Sequence, residues 1–301
     1  MPLTFDTAFE PAYGKPVPVA RNVLRLTANN PGPFTFFGTN SYLVGRDTLA
    51  VIDPGPEDEA HFNALVEAIA GREVSHIFVT HTHRDHSPLT PRLKELTGAT
   101  VLAEGPHRAA RPLRIGEINP LDASADTDFA PDAVVADSQV TDGDGWALRA
   151  IHTPGHAANH AAFALEGTGV LFSGDHVMAW STSIVAPPDG SMRDYMSSLG
   201  RLLERDDTLY LSGHGAALSN PAPFVTGLRE HRLGRESAIL KRIQAGDRTI
   251  PEIVRSVYKD TDPRLHGAAG LSVLAHVEDL VGRGLVAAES DIAIDGAYRI
   301  P

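Results

Sequence analysis

The chain of 301 residues contains no cysteine. Disulfide bonds, thiol nucleophiles and thiolate metal ligands are therefore all excluded. Basic residues are also scarce, because 26 Lys and Arg stand against 38 Asp and Glu, for a formal net charge of -12. This balance disfavours duplex nucleic acid and anionic membranes as partners, since both are bound through broad basic surfaces.

Long apolar runs and export signals are absent as well. The N-terminal segment lacks the basic start and continuous apolar stretch of a secretory signal, and no apolar run approaches the roughly 18 residues that cross a bilayer. We therefore predict a cytoplasmic protein without membrane association. The chain is 42% hydrophobic and long enough to bury a sizeable core in one large domain or two ordinary ones.

Short β-rich segments alternate with turn residues and helical patterns over the first two thirds of the chain. Apolar residues recur at helical spacing over residues 57–70 and 195–204. Nine segments are predicted to be strands: 23–26, 41–44, 49–53, 76–80, 100–103, 147–152, 160–165, 170–172 and 208–211. Strands mixed with helices favour a layered α/β fold. Residues 122–144 contain seven Asp and no Lys or Arg, which we interpret as a solvated loop.

The sequence changes character near Ser219, because the whole acidic excess lies before it and the charges balance after it. Asn220 and Pro221 form a helix start, and the helical pattern runs to about residue 245. Helices over 251–258 and 270–281 and a β pair over 285–288 and 297–300 follow. This order predicts a winged-helix-like domain over residues 219–301, after a first domain over residues 1–218.

The strongest chemical signal is the segment His81-Thr82-His83-Arg84-Asp85-His86, directly after a predicted strand. Residues two apart in an extended chain point the same way, so His81 and His83 can bind one metal ion. Asp85 and His86 then face a second position. Pro88 is predicted to begin a helix behind this loop. Such a cluster is typical of zinc or a similar borderline ion.

Further candidate ligands follow other predicted strands, each at a glycine-containing turn: His156, Asp175 and His214. Loops carried by a rigid sheet are where binding residues are expected. Asp53 ends another strand, and we predict that its carboxylate orients a ligand histidine.

Taken in order, Asp53, the His81 to His86 segment, His156, Asp175 and His214 resemble the five motifs of the metallo-β-lactamase superfamily, over roughly residues 20–218. The resemblance implies an αββα sandwich with two metal ions at one edge. It implies that one zinc ion is bound by His81, His83 and His156, that the other is bound by Asp85, His86 and His214, and that Asp175 bridges both. Mn²⁺ or Fe²⁺ are alternatives to Zn²⁺, because imidazole and carboxylate accept several ions.

A narrower resemblance covers nearly the whole chain. The segments 30–33, 38–42, 194–196 and 212–215, together with the winged-helix-like tail, resemble the β-lactamase-like protein 2 subfamily. Its members include endoribonucleases that cut single strands and thioesterases. The chain departs from the usual pattern at Ser87-Pro88, and His176 follows the expected bridging aspartate.

These residues predict a hydrolase in which a hydroxide bridging the two metal ions is the nucleophile. Asp85 and Asp175 would hold the geometry and accept hydrogen bonds from the water, and His176, or else His160, would protonate the leaving group. Ser173 and Ser212 lie in no Gly-x-Ser-x-Gly motif, which argues against a serine hydrolase.

Two substrate classes stay open, single-stranded RNA and small-molecule esters or acyl thioesters. A non-catalytic metal-binding module, using its C-terminal domain for protein or nucleic-acid interaction, is the alternative. The segment 265–282 contains no Lys or Arg, so the tail is disfavoured as a reader of duplex DNA. We predict that it packs on the first domain or forms a homodimer surface.

Overall fold

The computed structural model describes residues 3–114, 117, 119 and 122–301. Its first sheet has seven strands, which neighbour one another in chain order. They are antiparallel from β1 to β4 and parallel from β4 to β7. The strands are β1 Val17–Ala20, β2 Val23–Thr27, β3 Asn40–Gly45, β4 Thr48–Ile52, β5 Glu73–Val79, β6 Thr100–Ala103 and β7 Ala133–Val134.

The second sheet has six strands in the order β13, β12, β11, β10, β9, β8. Adjacent strands in this sheet are antiparallel, except for β11 and β12, which are parallel. The strands are β8 Val140–Gly143, β9 Trp146–His152, β10 Ala161–Leu165, β11 Val170–Gly174, β12 Leu209–Ser212 and β13 Leu218–Ser219.

The two sheets pack face to face over a core that includes Tyr42, Phe78, Phe163 and Phe172. Helices α1 (Glu59–Ile69) and α2 (Thr90–Thr97) cover the outer face of the first sheet. The outer face of the second sheet is covered by α3 (Met192–Leu203) and by part of α4 (Pro221–Gln244). The four layers confirm the predicted αββα sandwich.

The C-terminal unit continues with α5 (Ile250–Val257), α6 (His266–Gly282) and the hairpin β14 (Ala287–Ala288) and β15 (Tyr298–Arg299). Its own core forms around fully buried side chains such as Ile253, Val273 and Tyr298. Helix α5 begins with a capping box, in which Thr249 and Glu252 satisfy each other's backbone N–H groups. The predicted winged-helix arrangement is confirmed.

Helix α4 belongs to both units. Val225 and Leu228 in its first half pack with the outer face of the second sheet, whereas Ile239 and Ile243 pack in the C-terminal core. The predicted boundary between residues 218 and 219 falls inside β13, so the described elements mark no clean break there.

The C-terminal unit is docked on the sandwich through ion pairs of α6. Arg111 and Arg114 both donate to the carboxylate of Glu278, at distances of 2.6 to 3.2 Å. Arg193 donates to Asp279 over 2.9 Å. The acidic residues that disfavour DNA binding are thus bound by arginines of the first unit.

Two local predictions are wrong. The helix behind the metal loop begins at Thr90 rather than Pro88, and Pro91 takes the position in the first turn where proline is tolerated. The Asp-rich segment 122–144 is not simply a solvated loop, because it contributes β7 and β8 to the two sheets. Asp132 also accepts a hydrogen bond from the backbone N–H of Val101, so its carboxylate helps to fix β6.

No helix among the described residues is long and apolar enough to cross a membrane. The cytoplasmic location stays a prediction.

Candidate metal centre

The predicted metal ligands meet at one edge of the sandwich. His81, His83, Asp85 and His86 lie in the turn after β5, and His156 lies in the turn after β9. Asp175 directly follows β11, and His214 follows β12 two residues later. All are placed where strands of the two facing sheets end, so both halves of the core fix their positions.

Three of these histidines converge on one point. The Nε2 atom of His81 lies 2.9 Å from Nδ1 of His83, and Nε2 of His156 lies 3.1 Å from that same Nδ1. Neutral imidazoles that approach one another in this way have ring nitrogens directed at a common position. This grouping could hold a metal ion.

A second grouping combines carboxylates with histidines. Nε2 of His214 lies 3.1 Å from Asp85 and 3.2 Å from Asp175, and Nε2 of His86 lies 3.3 Å from Asp85 and 3.5 Å from Asp175. Asp175 is also 3.7 Å from Nε2 of His156, which belongs to the first grouping. The Asp175 carboxylate therefore lies between the two groupings, as a bridging ligand would.

Hydrogen bonds behind the ligands point most of the rings inward. Nδ1 of His156 contacts the carbonyl oxygen of Ile184 over 2.7 Å, and Nδ1 of His214 contacts that of Gly38 over 3.1 Å. Because Nδ1–H donates to a carbonyl, Nε2 carries a lone pair free for a metal.

Asp53 is placed where its predicted role requires. Its Oδ2 atom lies 2.9 Å from Nδ1 of His86, while its Oδ1 accepts the backbone N–H of Thr80 over 2.7 Å. Thr80 Oγ1 donates to Asp53 Oδ2 and lies 3.0 Å from Nδ1 of His81. One buried carboxylate thus orients ligand histidines of both groupings.

Charge divides the site into a neutral and an acidic half. Burial, together with the neighbouring histidines, lowers the pKa of His83 to about 3, so the imidazole is neutral at pH 7. Burial also lowers the pKa of His214, but the carboxylates of Asp175 and Asp85 have the larger combined effect and raise this pKa to about 10. The second grouping thus attracts positive charge.

The residues present fit metal ions. Two buried atoms of the second grouping that could bind a metal, Nε2 of His86 and Oδ1 of Asp175, have no hydrogen-bond partner among the described residues. Leaving such atoms unpaired in a protein interior is costly. Metal ions would satisfy them, and the donor set of imidazole and carboxylate suits zinc or a similar ion.

The geometry does not favour His176 as the proton donor. Its side chain is fully buried, packs 4.5 Å from the ring of Tyr195 and does not line the cleft at the metal site. Burial lowers its pKa to about 3. His160 is no better placed, because its two ring nitrogens contact Thr153 Oγ1 and the backbone N–H of Asp175. His160 instead accepts a hydrogen bond from the backbone N–H of Asp175.

The cleft above the ligands has a volume of about 370 Å³. Its walls are mostly apolar, formed by residues such as Phe34, Met178 and Ile184, and its only lining Lys or Arg among the described residues is Arg84. A pocket of this size and character is typical of small-molecule sites.

Ser173 and Ser212, already disfavoured as nucleophiles, donate to the backbone carbonyls of Val177 and His214. Within the described part of the chain, neither hydroxyl contacts a histidine side chain that could activate it.

Comparison with known proteins now decides the family. Residues 34–214 match the metallo-beta-lactamase superfamily model, and residues 249–296 match the beta-lactamase associated winged helix domain. The chain belongs to the metallo-β-lactamase superfamily. It is a hydrolase of that superfamily with a His and Asp cluster able to bind metal.

Its relatives within the superfamily span most of its length. A Beta-lactamase-like protein 2 homolog from Drosophila melanogaster is 29% identical over 87% of this chain and 89% of its own. An Atrochrysone carboxyl ACP thioesterase from Aspergillus chevalieri is 27% identical over 85% of this chain and 82% of its own. The resemblance to the β-lactamase-like protein 2 subfamily is thereby confirmed.

Solved structures share the fold. A beta-lactamase domain protein from Burkholderia ambifaria superposes with a TM-score of 0.80 at 23% identity, covering 97% of this chain and 95% of that one. A metallo-beta-lactamase family protein from Thermus thermophilus gives a TM-score of 0.73 at 23% identity, with 93% of this chain and 99% of that one covered.

Several supporting residues were missed by sequence reasoning. Thr80 and Thr39 contact Asp53 and Asp85 through their hydroxyls, and Asn40 donates to the carbonyls of Ser212 and Gly215. The position of Thr80, between a strand and the first candidate ligand, was the only signal in the sequence, because all these contacts join residues that are far apart along the chain.

Proposed function

We propose that this chain is a binuclear zinc-dependent hydrolase of small acyl thioesters. The observation that carries the proposal is the position of the Asp175 carboxylate between a grouping of three histidines and a grouping of two histidines and one aspartate. Such a bridge is expected where two metal ions share one centre.

Two bound divalent cations would supply an activated water and would neutralise the charge that develops on the substrate oxygen. The chain's own residues do the positioning. Asp53 and Thr80 hold His81 and His86, and His160 holds the backbone of Asp175. Asp85 accepts a hydrogen bond from Thr39, which restrains its carboxylate. The proton donor for the leaving group stays unassigned.

A thioester substrate is favoured over RNA. The metal cleft is mostly apolar, and Arg84 is the single Lys or Arg that lines it in the described part of the chain. Single-stranded nucleic acid instead needs a positively charged groove with stacking aromatics. Relatives named as acyl carrier protein thioesterases span most of this chain. An acidic protein is no obstacle to an acyl substrate, which an apolar cleft can hold.

The metal count is the first test. Elemental analysis of purified protein should give two ions per chain, and Asp175→Ala should lower both the metal content and the hydrolysis rate, the rate by about 100-fold or more. Circular dichroism should show that the variant keeps its fold. A reproducible absence of metal that added zinc, manganese or iron does not change would contradict the proposal.

The substrate class is tested side by side. Metal-replete protein should hydrolyse acyl thioesters of N-acetylcysteamine and leave a single-stranded RNA oligonucleotide intact. Cleavage of RNA without thioester hydrolysis would reverse this assignment, and Asp175→Ala shows whether either activity belongs to the site.

A further inference from the structure

A second cavity, of about 440 Å³, lies between the sandwich and the C-terminal unit. It is lined by residues 178–185 after β11, by α4 and by residues between 258 and 272. Phe34, Met178 and Ile184 line both this interdomain cavity and the metal cleft. A substrate held at the metal site can therefore extend into the space between the units.

Arg232 is the most unusual residue of the interdomain cavity. Its side chain is only 4% exposed, and no described carboxylate forms an ion pair with it. The guanidinium donates to the carbonyl of Ser183 and to Ser272 Oγ, and Nε has no partner among the described residues. A buried charge without a counter-ion is costly. An anion in this cavity would compensate it.

Arg235 adds a second cation on the same helix. Its guanidinium lies 4.5 Å from the ring centre of Tyr258 and donates to the carbonyl of Val257, and within the described chain it has no carboxylate partner. Among the described residues no Asp or Glu lines the cavity, although the whole chain has a net charge of -12. The two arginines are therefore the charged side chains that a ligand in this cavity would meet there.

The rest of the lining indicates what carries the anion. Phe34, Met178, Trp180 and Leu265 give apolar walls, and Trp180 Nε1 is a buried donor without a partner among the described residues. An apolar group that ends in an anion matches walls of this kind beside two arginines.

We infer that the interdomain cavity binds an anionic group of the substrate and that Arg235 makes the site selective for it. The inference rests on the proposed thioester hydrolase function and deepens it, because the substrate class becomes acyl thioesters with a second, anionic group. That group is a carboxylate on the acyl part or a phosphate on the thiol part. Both are recognised by guanidinium in the same way.

Three thioesters with a common apolar body distinguish these sources. Phenylpropanoyl N-acetylcysteamine is neutral, its para-carboxy derivative has the anion on the acyl part, and phenylpropanoyl phosphopantetheine has it on the thiol part. For metal-replete protein we expect KM to be about tenfold lower for one of the anionic thioesters than for the neutral one. In Arg235→Gln this KM ratio should collapse towards one, and Arg235→Lys should retain part of it.

Arg229→Gln is the matched control, because Arg229 is an exposed residue of α4 that does not line the cavity. It removes the same charge and should leave the KM ratio unchanged. Arg232 is not used, since its loss would also remove the hydrogen bonds that it donates to Ser183 and Ser272. Equal KM values for all three thioesters, or a preference that survives in Arg235→Gln, would overturn the inference.

Binding without turnover separates this inference from the proposed function. The ligands for calorimetric titration are neutral phenylpropanamide, its para-carboxy derivative and phosphopantetheine. An anionic ligand that binds the wild type more tightly than phenylpropanamide, and loses this advantage in Arg235→Gln, supports the inference even if no thioester is hydrolysed. Equal affinities in wild type and variant would refute it.

Discussion

At the scale of single residues, the site depends on carboxylates that act on histidines from behind. Asp53 is 2% exposed, and it contacts both His86 and Thr80. Its backbone has a φ of 51°, in the left-handed region that non-glycine residues seldom adopt. A strained conformation kept at a strand end beside the ligands indicates that the carboxylate's direction matters there.

Replacing Asp53 with Asn should therefore weaken metal binding while the ligands themselves remain. The Asn side chain still has an oxygen that can accept the backbone N–H of Thr80. It lacks the negative charge that stabilises the His86 tautomer with a proton on Nδ1, the tautomer in which Nε2 is free to bind a metal. We expect metal affinity to fall by about 10- to 100-fold, measured by competition with a chromophoric chelator. The exposed Asp47 supplies the control, Asp47→Asn, which should bind metal like the wild type. Equal affinities in the two variants would remove Asp53 from this role.

The ligand candidates could be found from the sequence because metal chemistry restricts residue types and strand ends are recognisable. The roles of His176 and His160 could not, because they depend on which way a side chain leaves the backbone. His176 directly follows a candidate ligand, yet its side chain packs in the core beside Tyr195. The sequence also could not predict the pair of arginines in the interdomain cavity, because the cavity forms only when the two units pack against each other.

At the scale of elements, tertiary pairing decided what local pattern could not. Strand β1 contains Pro18 and lies at a sheet edge, where proline is tolerated, and β7 and β8 lie in an Asp-rich segment with low strand propensity. Helix α6 begins four residues before its predicted start at Gly270. Gly267 and Gly270 weaken its local helical signal, but burial of its apolar face stabilises it.

Helix α6 also contains a buried histidine with consequences for stability. His276 is 1% exposed, and burial, together with Arg232, His231, Arg283 and Arg235, lowers its pKa to about 3. In the unfolded chain this imidazole binds a proton near pH 6.5, whereas in the folded chain it stays neutral until the pH is far lower. The free energy of unfolding therefore decreases as the pH falls below 6.5. The loss should reach about 2 kcal/mol between pH 6.5 and pH 5.

Urea unfolding at these two pH values tests the effect. His276→Phe should remove this part of the pH dependence, whereas His152→Phe, in a half-buried strand position, serves as a comparison for loss of an imidazole. The same acid sensitivity in His276→Phe and wild type would mean that other groups cause it.

The ion pairs between α6 and the sandwich give a second prediction at this scale. Glu278→Gln removes the only α6 carboxylate that Arg111 and Arg114 contact among the described residues, although both keep Glu117 as a partner. We expect the free energy of unfolding to fall by about 1–2 kcal/mol. Glu166→Gln breaks the more exposed pair with Arg149 inside one sheet and should cost less than about 1 kcal/mol. Equal shifts in the two denaturation curves would show that the α6 ion pairs contribute no more to the free energy of unfolding than an exposed ion pair does.

At the scale of the whole molecule, the candidate metal centre lies where the two halves of the sandwich meet. The turn after β5 in the first sheet and the turns after β9, β11 and β12 in the second contain the candidate ligands. Metal ions bound there would link the sheets at one edge, so metal binding and stability of the sandwich are coupled.

Removing the metal should therefore lower the stability of the entire protein. A ligand present at 100 times its Kd stabilises the folded state by about 3 kcal/mol. Treatment with EDTA should lower Tm, and added zinc should restore it, whereas Asp175→Ala should respond to neither. An unchanged Tm after complete chelation would show that the metal does not stabilise the fold.

Helix α4 limits how the chain can be divided. With 24 residues it is about 36 Å long, and its two halves insert into different cores. A fragment that ends near residue 248, before the matched winged-helix segment, would leave Ile239 and Ile243 uncovered on a projecting rod. Such a fragment is expected to aggregate. A fragment that ends before Pro221 would lack Val225 and Leu228, so part of the outer face of the second sheet would be exposed. Neither unit can be transplanted alone, so recombination with other sandwiches would have to exchange the helix and its two cores together.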